Sequence, residues 1–233
     1  MLAMKPTKDI DVWRLPANVR VAAVDDDLVF LDINADAYSC LPGGAAVAAI
    51  CAGGRTLRLG DQLWAEQLSA AGLAPSHHEP EHDLDALRWP PPTMSALQDQ
   101  AARPQWRDVP QALGCLADLL AHYRARSFAE IVWTASSSAP KGAPKSSDDM
   151  PSADLLALVG RFHRWSPYLP VTGKCLLQSF MLLRLLHRSG HDAAWVFGVS
   201  TWPFRAHCWL QCGEVVLNDT FERVRTYQPI MVV

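Results

Sequence analysis

Residues 173–190 read GKCLLQSFMLLRLLHRSG, and residues 191–219 continue as HDAAWVFGVSTWPFRAHCWLQCGEVVLND. The strongly apolar run after Cys175 predicts a buried helix over Cys175–Arg188, which Gly190 ends with a left-handed cap. Strand-like segments follow at Ala193–Val199, His207–Cys212 and Val215–Asp219, separated by a loop at Thr201–Arg205 and a turn at Gly213. A buried helix followed by an antiparallel sheet is an α+β domain.

This order of elements carries chemistry. A thiol is a nucleophile only as thiolate, and a place at a helix N-terminus with a histidine nearby favours that form. Gly173 and Lys174 lead into the helix as a breaker and a positive charge, so the sulfur of Cys175 meets the positive end of the helix dipole. If Gly213 is the centre of a hairpin turn, residues whose numbers sum to 426 face each other, which pairs His207 with Asp219; a two-residue turn shifts the match by one. Asp219 then orients the imidazole that takes the proton of Cys175. Each residue alone has a plainer reading: a core cysteine, a packed histidine, an Asn218-Asp219 turn. The three in this order make Cys175, His207 and Asp219 the expected catalytic groups. His207, Cys208 and Cys212 are not expected to bind a metal, because adjacent strand residues point to opposite faces. No cofactor is called for.

Further out, the front of the chain reads as a small winged-helix outline. Val19–Val24, Leu28–Leu31 and Tyr38–Leu41 predict a three-stranded antiparallel sheet, with turns at Asp25–Asp27 and Asn34–Asp36. Ala45–Ala52 predicts a short helix, and Asp61 caps another that carries Leu63, Trp64, Leu68 and Leu73. The Pro- and His-rich segment after Pro75 predicts a linker, giving a front domain at 1–75, a linker at 76–94 and a second domain at 95–233. Helices are expected over 95–102, 109–125 and 153–165, and a mobile loop over 136–149.

Composition narrows the function classes. In 233 residues, 49% are hydrophobic and 19% charged, the balance of a globular protein. No apolar run reaches the roughly 20 residues a membrane span needs, so neither membrane insertion nor a signal peptide is expected, and a cytoplasmic location is. The six cysteines include no CxxC pair, so reduced thiols are expected. Residues 1–75 carry six Lys/Arg against nine Asp/Glu, which is the wrong sign for a nucleic-acid partner.

The stretch from Gly173 to Asp219, with Lys174-Cys175-Leu176, Gly198-Val199, Pro203-Phe204, Ala206-His207-Cys208-Trp209 and Val215 to Asp219, resembles the lasso peptide maturation proteases. These are similar to transglutaminase-type and papain-like cysteine peptidases, whose Cys, His and Asp correspond to Cys175, His207 and Asp219. Val29 to Ile33 with Tyr38 and Leu41 resembles the PqqD-like element that captures a precursor leader as an added strand. The resemblance implies leader binding by Phe30, Tyr38, Leu41, Trp64 and Leu68, a precursor peptide as substrate, and an asparagine-synthetase-like lasso cyclase as partner. It departs from the family at Cys208, where Ala is frequent, and in lacking a nearby Gln ahead of Cys175 for an oxyanion hole. A non-catalytic scaffold and an acyl transferase using the same three groups are the alternatives.

Overall fold

The computed structural model describes residues 12–51, 55–60, 62–73, 90–97, 105–123, 126–137, 150–169 and 175–233. It divides into two compact units, residues 1–87 and 88–233.

In the first unit, strands β1 (Val12–Arg14), β2 (Val19–Val24), β3 (Asp27–Asp32), β4 (Ala37–Leu41), β5 (Ala48–Ile50) and β6 (Thr56–Leu59) precede helix α1 (Gln62–Ala70). The antiparallel sheet β2-β3-β4 is the one expected from the three strand-like runs and the turns between them. Its first hairpin turns through Asp25 at φ 52°, a left-handed conformation that the short side chain of Asp tolerates. A second sheet, β1-β6-β5, packs Leu57 and Leu59 into one core with Leu15, Val21, Leu28, Phe30 and Leu68.

The helix expected over Ala45–Ala52 does not form. Gly44–Ala46 is a single 3₁₀ turn, and Ala48–Ile50 pairs with β6, placing Ala48 opposite Leu59. A helix of about eight residues is marginal without packing support. The chain instead turns through Gly43 at φ 69°, and a Cβ at Gly44 would lie 3.0 Å from Leu41 Cδ2, so this backbone is built for a tight turn. Asp61 and the side chain of Leu63, expected to begin α1, lie outside the described residues.

The second unit contains β7 (Met94–Ser95), α2 (Val109–His122), α3 (Phe128–Ser137), α4 (Ala153–Trp165), α5 (Cys175–Arg188), β8 (Ala194–Ser200), β9 (Arg205–Cys212), β10 (Val215–Val216), α6 (Phe221–Val224) and β11 (Gln228–Val232). Its sheet runs β11-β8-β9-β10-β7, antiparallel except for the β10-β7 pair. A helix starting at Ser95 is thereby corrected: Met94 and Ala96 donate to the carbonyls of Glu214 and Val216, and pairing outweighs local propensity. Residues 98–102 lie outside the described ones, as do most of the linker and of the loop expected over 136–149. Helix α3 and strand β11 were not anticipated.

Alternation along β8 and β9 sorts side chains onto two faces. Trp195 and Phe197 meet Phe180 of α5 and Phe128 of α3, with ring centroids 4.8 to 6.1 Å apart. On the other face Val196, Trp209 and Val216 pack with Val224, Phe221 and Tyr227. Helix α5 is apolar on most sides because it is buried on most sides. Arg184 grips Asp118 of α2 through two hydrogen bonds of 2.9 and 3.1 Å, and Gly190 at φ 81° closes the C-terminus, where His191 N–H donates to the Leu186 carbonyl. None of the described helices is long and apolar enough to cross a membrane.

Gly198 shows how tightly the second face is filled. A Cβ there would lie 2.9 Å from the Trp209 ring and 2.9 Å from Tyr227 Cβ. Gly198→Ala is expected to destabilise the unit by about 2 kcal/mol through overpacking, read as a lower urea midpoint with an unchanged slope.

Candidate active site

The three residues singled out by the sequence come from three separate segments. Cys175 is the first residue of α5, His207 lies near the start of β9, and Asp219 follows β10 by three residues. His207 is buried on the Trp209 face, with Tyr227 and Trp209 rings at centroid distances of 5.2 and 6.1 Å. Gly198 stands opposite it on β8. His207 Nε2 lies 2.6 Å from Asp219 Oδ2. The other carboxylate oxygen accepts from Thr220 N–H at 2.8 Å, and Arg223 approaches at 3.4 Å.

The sulfur of Cys175 is hydrogen-bonded to the side chain of His207, to the Cys208 thiol and to the Cys208 backbone N–H. With Nε2 engaged by Asp219, Nδ1 is the ring nitrogen left for the sulfur. The structure thus brings Cys175, His207 and Asp219 into one hydrogen-bonded row.

The hairpin register differs from the one centred on Gly213. Val215 pairs with Cys212 and Val216 with Gln211, so the turn is Gly213-Glu214 and the sum is 427 rather than 426. His207 and Asp219 are therefore not ladder partners. The strand leaves the ladder after Leu217 N–H donates to Leu210, and the Asp219 side chain reaches the imidazole from the diverging segment. Where the ladder breaks, side chains complete it: Leu210 N–H donates to Asn218 Oδ1 at 2.7 Å, and the Leu217 carbonyl accepts from His163 Nε2 at 3.0 Å. Only the neutral tautomer with a proton on Nε2 needs to be present for this, and burial holds the His163 pKa below its ordinary value.

Cys208 was set aside on the ground that strand neighbours point apart. At residues 207–208 the β10 side of β9 is open, so a sulfur lying along that edge touches the backbone N–H and both flanking side chains. Alternation separates two residues from each other, not from a third atom beside the strand. Ser179, Asn218 and Tyr227 also lacked a sequence signal beyond position. Gly173 and Lys174 lie outside the described residues.

The electrostatics form a relay. The largest influence on Cys175 is the Cys208 thiol donating to its sulfur; burial opposes ionisation, and the His207 hydrogen bond, the Cys208 N–H and the imidazolium charge outweigh it, pushing the pKa down to about 4. Burial disfavours the charged form of His207, but hydrogen bonds to Asp219 and Cys175 and the two negative charges offset this, raising its pKa above the ordinary histidine value. Burial also pushes the Asp219 carboxyl up; the bonds from His207 and Thr220 N–H and the charge of Arg223 bring it below its usual range. Such a site favours a thiolate beside an imidazolium.

The residues expected to bind a leader are placed differently from one another. Phe30 and Leu68, 3% and 4% exposed, belong to the core of the first unit, so their side chains have no surface to offer a ligand. Leu41 packs against that core; Tyr38, like Leu41 on the outer strand β4, and Trp64 are partly exposed.

Residues 115–232, slightly more than half of the chain, match the family described as the transglutaminase-like superfamily. The chain is also similar to the microcin J25-processing protein McjB of Escherichia coli, 44% identical over 45 residues. That match covers 19% of this chain and 22% of the relative, less than a quarter of its length. No solved structure matches the chain.

If the Cys208 thiol is the main donor to the sulfur, Cys208→Ala raises the pKa of Cys175 from about 4. The pH dependence of iodoacetamide alkylation, read by mass at Cys175, measures this; an unmoved midpoint refutes it.

Proposed function

The chain belongs to the transglutaminase-like superfamily, and on that premise we propose that it is a thiol peptidase removing the leader from a ribosomally made lasso precursor peptide. The observation that supports catalysis is the hydrogen-bonded row of Cys175, His207 and Asp219, with the sulfur ionised at neutral pH. The likeness to a microcin-processing protein supports a peptide as the substrate.

In this reading the Cys175 thiolate attacks the carbonyl carbon of the last leader residue. The imidazolium of His207 gives its proton to the departing amine, leaving a thioester on Cys175. Water then adds to the thioester with His207 as base, and the thiolate leaves. Asp219 keeps the ring oriented and stabilises its charged form. The product is a core peptide with a free N-terminal amine, which an asparagine-synthetase-like cyclase joins to a carboxylate side chain. We assign leader capture to the front unit, taken as a PqqD-like module. The outer strand β4, whose residues 37–41 are partly or fully exposed, suits addition of an extended peptide. The superfamily also includes acyltransferases, and the same thioester intercepted by an amine gives acyl transfer; product mass separates the two, since hydrolysis adds one water.

Incubation with the precursor peptide is expected to release leader and core fragments. Cys175→Ala is expected to abolish release, and Asp219→Asn to lower kcat by roughly 10² to 10⁴. A Cys175→Ala variant that still cleaves refutes the proposal. The active pair needs sulfur deprotonated and imidazole protonated, so the rate falls as pH drops through about 4 and again as it rises through the His207 pKa, which lies above 6.5. A profile rising only near the ordinary thiol range, about pH 8 to 9, contradicts the ion pair.

A further inference from the structure

Ser179 lies on α5 four residues after Cys175, on the same helix face one turn along. It is completely buried. A serine inside a helix commonly returns its hydroxyl to its own helix, or avoids burial altogether. Here the hydroxyl turns to the sheet. Its proton goes to the Cys208 carbonyl at 3.3 Å, it accepts from Asn218 Nδ2 at 2.8 Å, and the Cys208 sulfur lies 3.9 Å away. The one proton of the hydroxyl and one of its acceptor sites are thereby used. Asn218 is held at its other end by Leu210 N–H on β9.

The partners of this hydroxyl are neighbours of the reactive groups. Cys208 follows His207, Asn218 precedes Asp219, and Ser179 itself is one turn from Cys175. The buried residues of α5 around Ser179 are apolar, among them Phe180, whose ring meets Trp195 of β8. Apolar contact fixes how close a helix lies but is not directional, so it sets rotation and axial sliding weakly. Reactive groups need placement to about half an ångström.

We propose that Ser179 is a positioning residue: its buried hydroxyl joins the three segments that carry Cys175, His207 and Asp219 and sets the approach of the sulfur to the imidazole, with Asn218 as its working partner. Removing the hydroxyl leaves the Asn218 amide without an acceptor and the Cys208 carbonyl without this donor. Helix α5 keeps its tie to α2 through Arg184 and Asp118 but loses this polar tie to the sheet, and the sulfur drifts from the ring.

The inference rests on Cys175 and His207 acting as a reactive pair, and a test that needs no peptide keeps the two apart. Alkylation of Cys175 by iodoacetamide is followed against pH in the full chain, in Ser179→Ala and in Asn218→Ala, each checked for a cooperative melt. A wild-type Cys175 that titrates as an ordinary thiol removes the pair itself, before Ser179 is considered. If the wild type titrates near pH 4, both variants are expected to alkylate about tenfold more slowly at pH 6 and to show an upward-shifted midpoint while still melting cooperatively. Ser179→Thr, which keeps the hydroxyl, is expected to recover rate and midpoint. Folded variants with wild-type rate and midpoint overturn the proposal. So does loss of the cooperative melt in both variants, since the hydroxyl would then serve the fold rather than the alignment.

Discussion

Keeping a sulfur anion, an imidazolium and a carboxylate side by side in a partly buried space is the constraint from which the arrangement of the second unit follows. Each charge taken from water loses hydration, and only close partners with good hydrogen-bond geometry restore it. The three charges alternate in sign along the row, so His207 serves both of its neighbours. The outer ends need donors of their own: Thr220 N–H and Arg223 at Asp219, the Cys208 thiol and N–H at Cys175. Remove the imidazole and the sulfur loses its counterion, while Asp219 keeps only Arg223.

That row can exist only where a strand edge is open. A fully paired β9 would commit its N–H and C=O groups to neighbours on both sides, leaving the sulfur no backbone donor. β10 therefore pairs over Val215 and Val216, makes one more backbone bond at Leu217, and departs. Departure would orphan the Leu210 N–H and the Leu217 carbonyl in a buried region, at a cost of about 1 to 3 kcal/mol each. Asn218 and His163 take those two groups, and the sheet ends without unsatisfied backbone at that point. The same Asn218 then reaches Ser179. Ending the strand and aligning the site are one piece of structure.

Much of this was legible in residues 173–219. A Leu-rich helix beginning at a cysteine, a glycine to close it, and strands holding His207 and Asp219 follow from spacing alone, because helix and strand periodicities are strong local signals. Turn geometry is less local: whether Gly213 is the centre of the turn or half of it shifts every pair by one, and composition does not decide it. Cys208 was missed for a different reason, since alternation describes the two faces of a strand and says nothing of an edge. In the first unit, the alanines of 45–50 favour helix locally, yet Ala48 is taken into the core opposite Leu59. Phe30 and Leu68 lie in the core, and an apolar residue that lines a groove and one that fills a core look alike in sequence.

Two thiols in contact raise the question of which one ionises. Cys175 and Cys208 have the same chemistry and share a hydrogen bond, yet their pKa values move in opposite directions. Cys208 is buried, and burial first, then the negative neighbour, pushes its thiol well above the ordinary range. It has no imidazole to balance a charge, because its side chain leaves the strand on the side away from the ring of His207. Cys175 sits at the open edge, where imidazole and backbone N–H converge. One proton is thus effectively assigned between two sulfurs, and the protonated one becomes a donor to the other. Paired groups driven apart in this way mark a division of roles. The sulfur that ionises is selected by which one the ring can reach, and Cys208, rather than competing, lowers the energy of its neighbour's anion.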